Sequence, residues 1–131
     1  MNKIPSEFAP EEKLLRAVWP PAQRPSYWRG GRLSSAAFKD KRGLSVSRTY
    51  DRATAQAVAE MRERFQGAIV SVRTEDCQEV QAVVCYLPSK SDPYHSEIHG
   101  SASEKLLNDA QALYLARMAK LEYRPAGSTV G

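Results

Sequence analysis

The sequence predicts an α+β fold: a single domain with a small, mainly antiparallel or mixed sheet of about five strands and two main helices, in the order β-β-β-α-β-β-α. Three observations lead there. Short apolar runs of strand length recur at residues 14–19, 44–49, 69–73 and 80–87. Helical periodicity follows Asp51 and again Ser101. The strands lack the regular helical crossovers that a doubly wound parallel sheet requires.

In chain order, residues 1–11 are polar, contain Pro5 and Pro10, and read as a flexible arm. The domain itself is expected over 12–123, with 124–131 a flexible tail. The run 14–19 is a strand stopped by Pro20 and Pro21. Residues 20–31 form a Pro/Gly-rich loop carrying Tyr27 and Trp28, and a loop of that length in a small domain invites a functional reading. Residues 32–38 and 44–49 read as a strand pair joined by the polar turn 39–43, which ends in Gly43. Asp51 can cap a helix running to about Gln66, with Val58, Met61 and Phe65 as its buried stripe and Gly67 as its left-handed terminator. A strand at 69–73 and a turn at 75–78 follow. The valine-rich run 80–87 is expected to be a central strand. Ser101 with Glu104 forms a capping-box signature, opening a last helix with Leu107, Ala110, Tyr114, Met118 and Leu121 on one side.

Hydrophobic residues make up 42% of the chain and charged residues 26%, a globular balance that excludes disordered and fibrous classes. A net charge of +4 permits attraction to phosphates without demanding it. A dedicated nucleic-acid binder concentrates its basic residues more heavily. Cys77 and Cys85 form neither a disulfide framework nor a zinc-ligand spacing, and Cys85 reads as a small buried hydrophobe. The absence of a signal-type apolar core near the N-terminus and of any span-length apolar stretch gives the expectation of a soluble, cytoplasmic protein. No P-loop, dinucleotide fingerprint or nucleophile elbow is present.

Polar chemistry concentrates in three blocks. In the first, residues 92–100, His95, Glu97 and His99 share one face if the chain is extended, whereas on a helix the two histidines share a face without the glutamate. Either geometry suits metal binding or acid–base chemistry, a surface loop with incidental histidines fits as well, and His95 and Glu97 are the candidate catalytic residues. Two histidines are too few for a structural zinc site, and no metal ligand set is assigned. The second block, 32–38, sets Arg32 beside Ser34 and Ser35, and an arginine fork with two hydroxyls suits a phosphate or carboxylate. It also suits a strand with small residues where another element packs closely. In the third, Ser45 and Ser47 share a strand face opposite Leu44, Val46 and Arg48, as a ligand cleft or an ordinary solvated sheet face requires. Arg24, Arg29 and Arg32 interleave with Tyr27 and Trp28, a mixture that can hold single-stranded nucleic acid or can simply edge the core with wet arginines.

The segments 31–40 (Gly31, Arg32, Ser34, Ser35, Phe38), 44–46 (Leu44, Ser45, Val46) and 92–98 (Pro93, His95, Ile98) together resemble a family of small, functionally uncharacterised prokaryotic proteins. That resemblance covers most of residues 14–100 and implies one shared domain with no settled activity. A second resemblance is to ADP-ribosyltransferase-like folds. It implies that Arg16 on the first strand grips a dinucleotide, that Ser45 or Ser47 lies on a serine-bearing strand before a helix, and that Glu97 stands where those enzymes carry a glutamate. Related RNA 2′-phosphotransferases imply a role for His95.

These readings converge on an Arg/Ser/His cleft that binds or processes a phosphate-bearing ligand, a dinucleotide or an RNA end. Arg16, Arg32, Ser34, Ser35, Ser45 and Ser47 are the candidate ligand-binding residues; whether the protein is an enzyme, and with which cofactor, stays open. The alternatives are a non-catalytic interaction module of antitoxin-like or immunity-like type, with a protein partner, and a nucleic-acid-binding module using the Arg/Tyr/Trp loop.

Overall fold

The computed structural model describes residues 3–125, so the expected C-terminal tail lies outside the described residues from position 126 on. Its strands are β1 (Lys13–Val18), β2 (Trp28–Arg29), β3 (Arg32–Leu33), β4 (Leu44–Arg48), β5 (Ala68–Arg73), β6 (Val83–Tyr86), β7 (His95–His99) and β8 (Lys120–Tyr123). The helices are α1 (Thr54–Arg62), α2 (Thr74–Glu79) and α3 (Asp109–Met118), with single 3-10 turns at Pro25–Tyr27 and Ser35–Phe38. Six strands form one sheet in the order β6-β7-β4-β1-β5-β8, and every neighbouring pair is antiparallel. The α+β class expected from the sequence is the class observed. Among the described residues no helix is long and apolar enough to cross a membrane.

Side-chain alternation gives the sheet two different faces. On one, Leu14, Val46, Val70, Val72 and Ile98 meet Phe38, Cys77, Leu107, Ala112 and Leu115, and this is the main core. On the other, Leu15 and Ile69 pack under Ala57 and Met61 of α1. Helix α1 therefore covers β1 and β5, while the same face over β4, β7 and β6 carries Ser45, Ser47, His95, Glu97, His99 and Cys85. That open half-face positions the site.

The mouth of β4 is held by a buried ion pair. Arg48 is fully buried and places Nε and Nη2 on the two carboxylate oxygens of Glu12, at 2.8 and 2.9 Å. Its remaining donors reach the carbonyls of Pro5 and Glu7, and its guanidinium stacks 3.8 Å from the Phe8 ring centre. Residues 5–12 are thus tied to the domain, where the sequence reads a free arm. A charge this deep needs both a partner and full hydrogen bonding, and the N-terminal segment supplies most of both.

Several elements differ from expectation. Residues 32–38 are not a strand paired with β4: β3 pairs with β2 across Gly30 and Gly31, whose positive φ values of 56 and 82° suit a two-residue hairpin turn. The partners of β4 are β1 and β7. The valine-rich run is an edge strand, β6, not a central one. Its inner neighbour β7 is almost wholly polar, with only Ser96 and Ile98 turned to the core. Residues 75–78 lie within α2, whose first turn is capped by Asp76 accepting from the Arg73 N–H. Helix α1 ends at Arg62, so Phe65 lies beyond it and is exposed. Ser101 does accept from the Glu104 N–H at 3.1 Å, but as a local turn. The last helix starts seven residues later on a reciprocal Asn108–Gln111 cap. Its buried stripe is accordingly Gln111, Ala112, Leu115 and Ala116, with Met118 exposed and Leu121 in strand β8.

Candidate functional site

Where α1 ends, the open half-face deepens into a cleft of about 490 Å³. Strands β1, β4 and β7 supply Arg16, Ser45, Ser47 and His95; the turn after α1 supplies Arg64 and Phe65; Trp19 and Arg42 close the rim. Four residues singled out from the sequence therefore meet at one place.

Arg16 is the unusual member. Its Nε donates to the carbonyl of Ala37 at 2.9 Å and its Nη1 to the carbonyl of Ser45 at 3.1 Å. Among the described residues no carboxylate lies within ion-pairing distance of it. Burial pushes the guanidinium below its ordinary range, countered by the charges of Tyr27 and Asp40, yet arginine keeps its proton at any physiological pH. Two of its five donors hold backbone, and the residue is part of the cleft lining where β1 and β4 part. The other cations there are partnered: Arg64 reaches Asp92 at 3.4 Å and the Ser91 carbonyl at 3.1 Å. Arg42 reaches Asp40 at 3.4 Å. The Asp40 carboxyl is held below its usual range, chiefly by the Arg42 backbone N–H.

His95 is oriented by its own strand end. Its Nδ1 lies 2.8 Å from the carbonyl of Leu87, which can only accept, so Nδ1 carries the proton. The lone pair of Nε2 then faces the Ser45 hydroxyl at 3.4 Å. A histidine fixed in one tautomer with its free nitrogen toward a hydroxyl is arranged to take a proton from that hydroxyl or from a ligand between them. Ser47 is occupied differently: its hydroxyl accepts from Arg52 Nη2 at 3.1 Å. Arg52, itself buried, pairs with Glu60 and stacks 3.6 Å from the Tyr94 ring centre. Ser47 thus ties the turn before α1 to the sheet.

The remaining expected residues lie elsewhere. Arg32 is in the β2–β3 hairpin beside a separate depression formed with Trp28, Arg117 and Leu121. Ser34 donates to the Ser26 carbonyl, and Ser35 begins the 3-10 turn whose Ala37 carbonyl Arg16 holds. Arg32, Ser34 and Ser35 do not line the cleft. Glu97 sits on a strand directly opposite Ser45, but its carboxylate turns to His99 at 2.8 Å. Trp28 is buried, with its indole N–H on the Trp19 carbonyl at 2.7 Å, and Tyr27 packs against the core. Trp28 is therefore not free to stack on a base, while Tyr27 keeps part of its ring exposed. Among the described residues no group of three or more His, Cys, Asp or Glu side chains is arranged to hold a metal ion.

Sequence reasoning missed Trp19, Arg42, Arg64 and Phe65. Trp19 and Phe65 are 44% and 49% exposed at the cleft, unusual for side chains of that size. The only signals were Trp19 stopping at a proline pair and Phe65 falling just before Gly67. No known protein family, no curated protein and no solved structure matches this chain.

Proposed function

We propose that the cleft binds a phosphate-bearing ligand with an aromatic base, a dinucleotide or an RNA end. The observation that carries this reading is Arg16, a largely buried cation in the cleft wall with spare donors and no carboxylate partner. A planar fork of that kind recognises phosphate in two-point fashion. Ser45 adds a hydroxyl beside it, and the exposed faces of Trp19 and Phe65 offer stacking surface for a base. His95, with Nε2 free, is the group that takes or returns a proton at the bound ligand.

The test is thermal shift and calorimetry with NAD, ADP-ribose and short 5′-phosphorylated RNA. Ligand binding to the native state raises the melting temperature. Ser45→Ala, which removes no backbone contact, is expected to weaken binding by about tenfold, and Arg16→Lys by about 10- to 100-fold. Trp19→Ala weakens base-bearing ligands while leaving inorganic phosphate unaffected. No shift with any of the three ligands at millimolar concentration overturns the proposal.

A further inference from the structure

Next to the cleft, on the same open face, three side chains from β6 and β7 form a row that the anion site does not use. Cys85 stands directly opposite Glu97 in the β6–β7 register, with its Sγ 3.6 Å from Nδ1 of His99. The other ring nitrogen, Nε2, lies 2.8 Å from Oε1 of Glu97. A carboxylate can only accept, so Nε2 carries the proton and Nδ1 turns its lone pair to the thiol. The order is thiol, imidazole, carboxylate: nucleophile, base and the group that orients the base. The turn at Gly43 lies over the pair. A side chain there would run into the Glu97 carboxylate and His99 Nε2, and Gly43 holds a φ of +100° that other residues resist.

We propose that Cys85, His99 and Glu97 form a second reactive site, independent of the anion cleft, whose substrates are small disulfides. Burial, and then the Glu97 charge, raise the Cys85 thiol above its ordinary range, so it rests protonated. Reaction consequently needs a base in contact with it, and His99 is that base. As Sγ attacks one sulfur of R–S–S–R, its proton passes to Nδ1. A new bond forms between Cys85 Sγ and that sulfur, the S–S bond of the substrate breaks, the other half leaves as the thiolate RS⁻, and His99 returns the proton to it to give RSH. Cys85 is oxidised to a mixed disulfide and the incoming disulfide is reduced. Disulfide exchange, unlike acyl transfer, requires no donors for a tetrahedral oxyanion. That fits a thiol standing off an open sheet face, whose strand N–H groups lie in the sheet plane. Cys85 is half-buried and reachable, whereas Cys77 is fully buried in the main core with its thiol pushed up to about 12.

The experiment uses the full chain and a chromogenic aryl disulfide, with glutathione disulfide as the second probe and mass spectrometry to locate the adduct. One thiol is expected to react in the native protein, at Cys85, with Cys77 as the internal control. His99→Gln is expected to slow the reaction at neutral pH by about tenfold or more. At alkaline pH, where hydroxide forms the thiolate, the difference closes. Glu97→Gln, acting through His99, slows the neutral reaction and likewise recovers at alkaline pH. Modification at Cys77 alone, a wild-type rate in His99→Gln, or a deficit that persists at alkaline pH overturns the proposal; the last shows that the substitution changed access, not proton transfer.

Discussion

Replacing Glu12 by Gln tests whether the buried Arg48 is the tie between the N-terminal segment and the sheet. The substitution keeps size and shape but removes the one negative charge that meets Arg48 Nε and Nη2 at 2.8 and 2.9 Å. It also turns an amide NH₂ toward a guanidinium that is itself all donors. Arg48 is fully buried and cannot shed its proton, so it is left as an uncompensated charge. Breaking one side of such a pair costs about 3–5 kcal/mol. For a chain of this length that corresponds to a melting point lower by roughly 10–20 °C. The double variant Glu12→Leu with Arg48→Met removes both charges, and a well-packed apolar pair often equals the ion pair it replaces. Here it does not quite: the Pro5 and Glu7 carbonyls and the Tyr50 N–H lose their partners too. The expected order of stability is wild type, then the double variant, then Glu12→Gln, measured by urea denaturation read from far-UV circular dichroism. A loss below about 1 kcal/mol in Glu12→Gln refutes the reasoning, since that is the magnitude of a solvated surface pair.

Two further outcomes follow from the same geometry. Burial raises Glu122, but the Ser71 hydroxyl and Lys13 more than offset it, and the net position is below the ordinary 4.5. A carboxyl depressed in the folded state contributes stability above its unfolded pKa and loses it as pH falls through the folded value. Wild type therefore sheds stability in acid below roughly pH 4.5, and Glu122→Gln shows a flatter acid limb in melts taken across pH; parallel curves refute this. Gly67 has a φ of +112° and a Cβ there would lie 2.6 Å from the Val18 carbonyl oxygen, whereas at Gly30 no atom lies within 4 Å. Gly67→Ala is expected to cost about 1–3 kcal/mol and Gly30→Ala no more than about 1 kcal/mol, by chemical denaturation. Equal losses show that the φ value, not the contact, sets the cost.

Much of the sheet was legible from sequence, because β1, β4 and β5 alternate or run apolar as buried strands do. Strand β7 was not, since only two of its five residues face the core and the other three are titratable. Its strand character comes from neighbours on both sides, which a local pattern does not carry. The capping box at Ser101 was legible as chemistry and misplaced as structure. The serine made its bond, but a second cap at Asn108 opened the helix that packs on the core. Of the site, the reading that paired Ser45 and Ser47 on one face, and His95 with Glu97 and His99 on another strand's face, needed only period two. It could not show that these faces adjoin, because the β4–β7 pairing joins residues some fifty apart. Nor could it exclude Arg32, Ser34 and Ser35, whose block lies near Arg16 only through the Ala37 carbonyl.

The uneven coverage of the sheet has a physical cause that also explains why chemistry collects where it does. Helix α1 spans only Thr54–Arg62, and its apolar contacts, Ala57 and Met61, meet Leu15 and Ile69 of β1 and β5, with Ala17 packed beside them. Extending the helix over β4 and β7 would bury Ser45, His95, Glu97 and His99, each needing new partners. The chain instead stops α1, turns at Gly67 and leaves His95 beside Ser45 and His99 beside Glu97. The end of the helix then becomes one wall of a cleft in which Ser45, Ser47 and His95 lie among apolar neighbours such as Leu15 and Met61. Lengthening α1 with apolar residues at 63–66 would accordingly close the cleft from the side while leaving Cys85 and His99, farther along the face, uncovered.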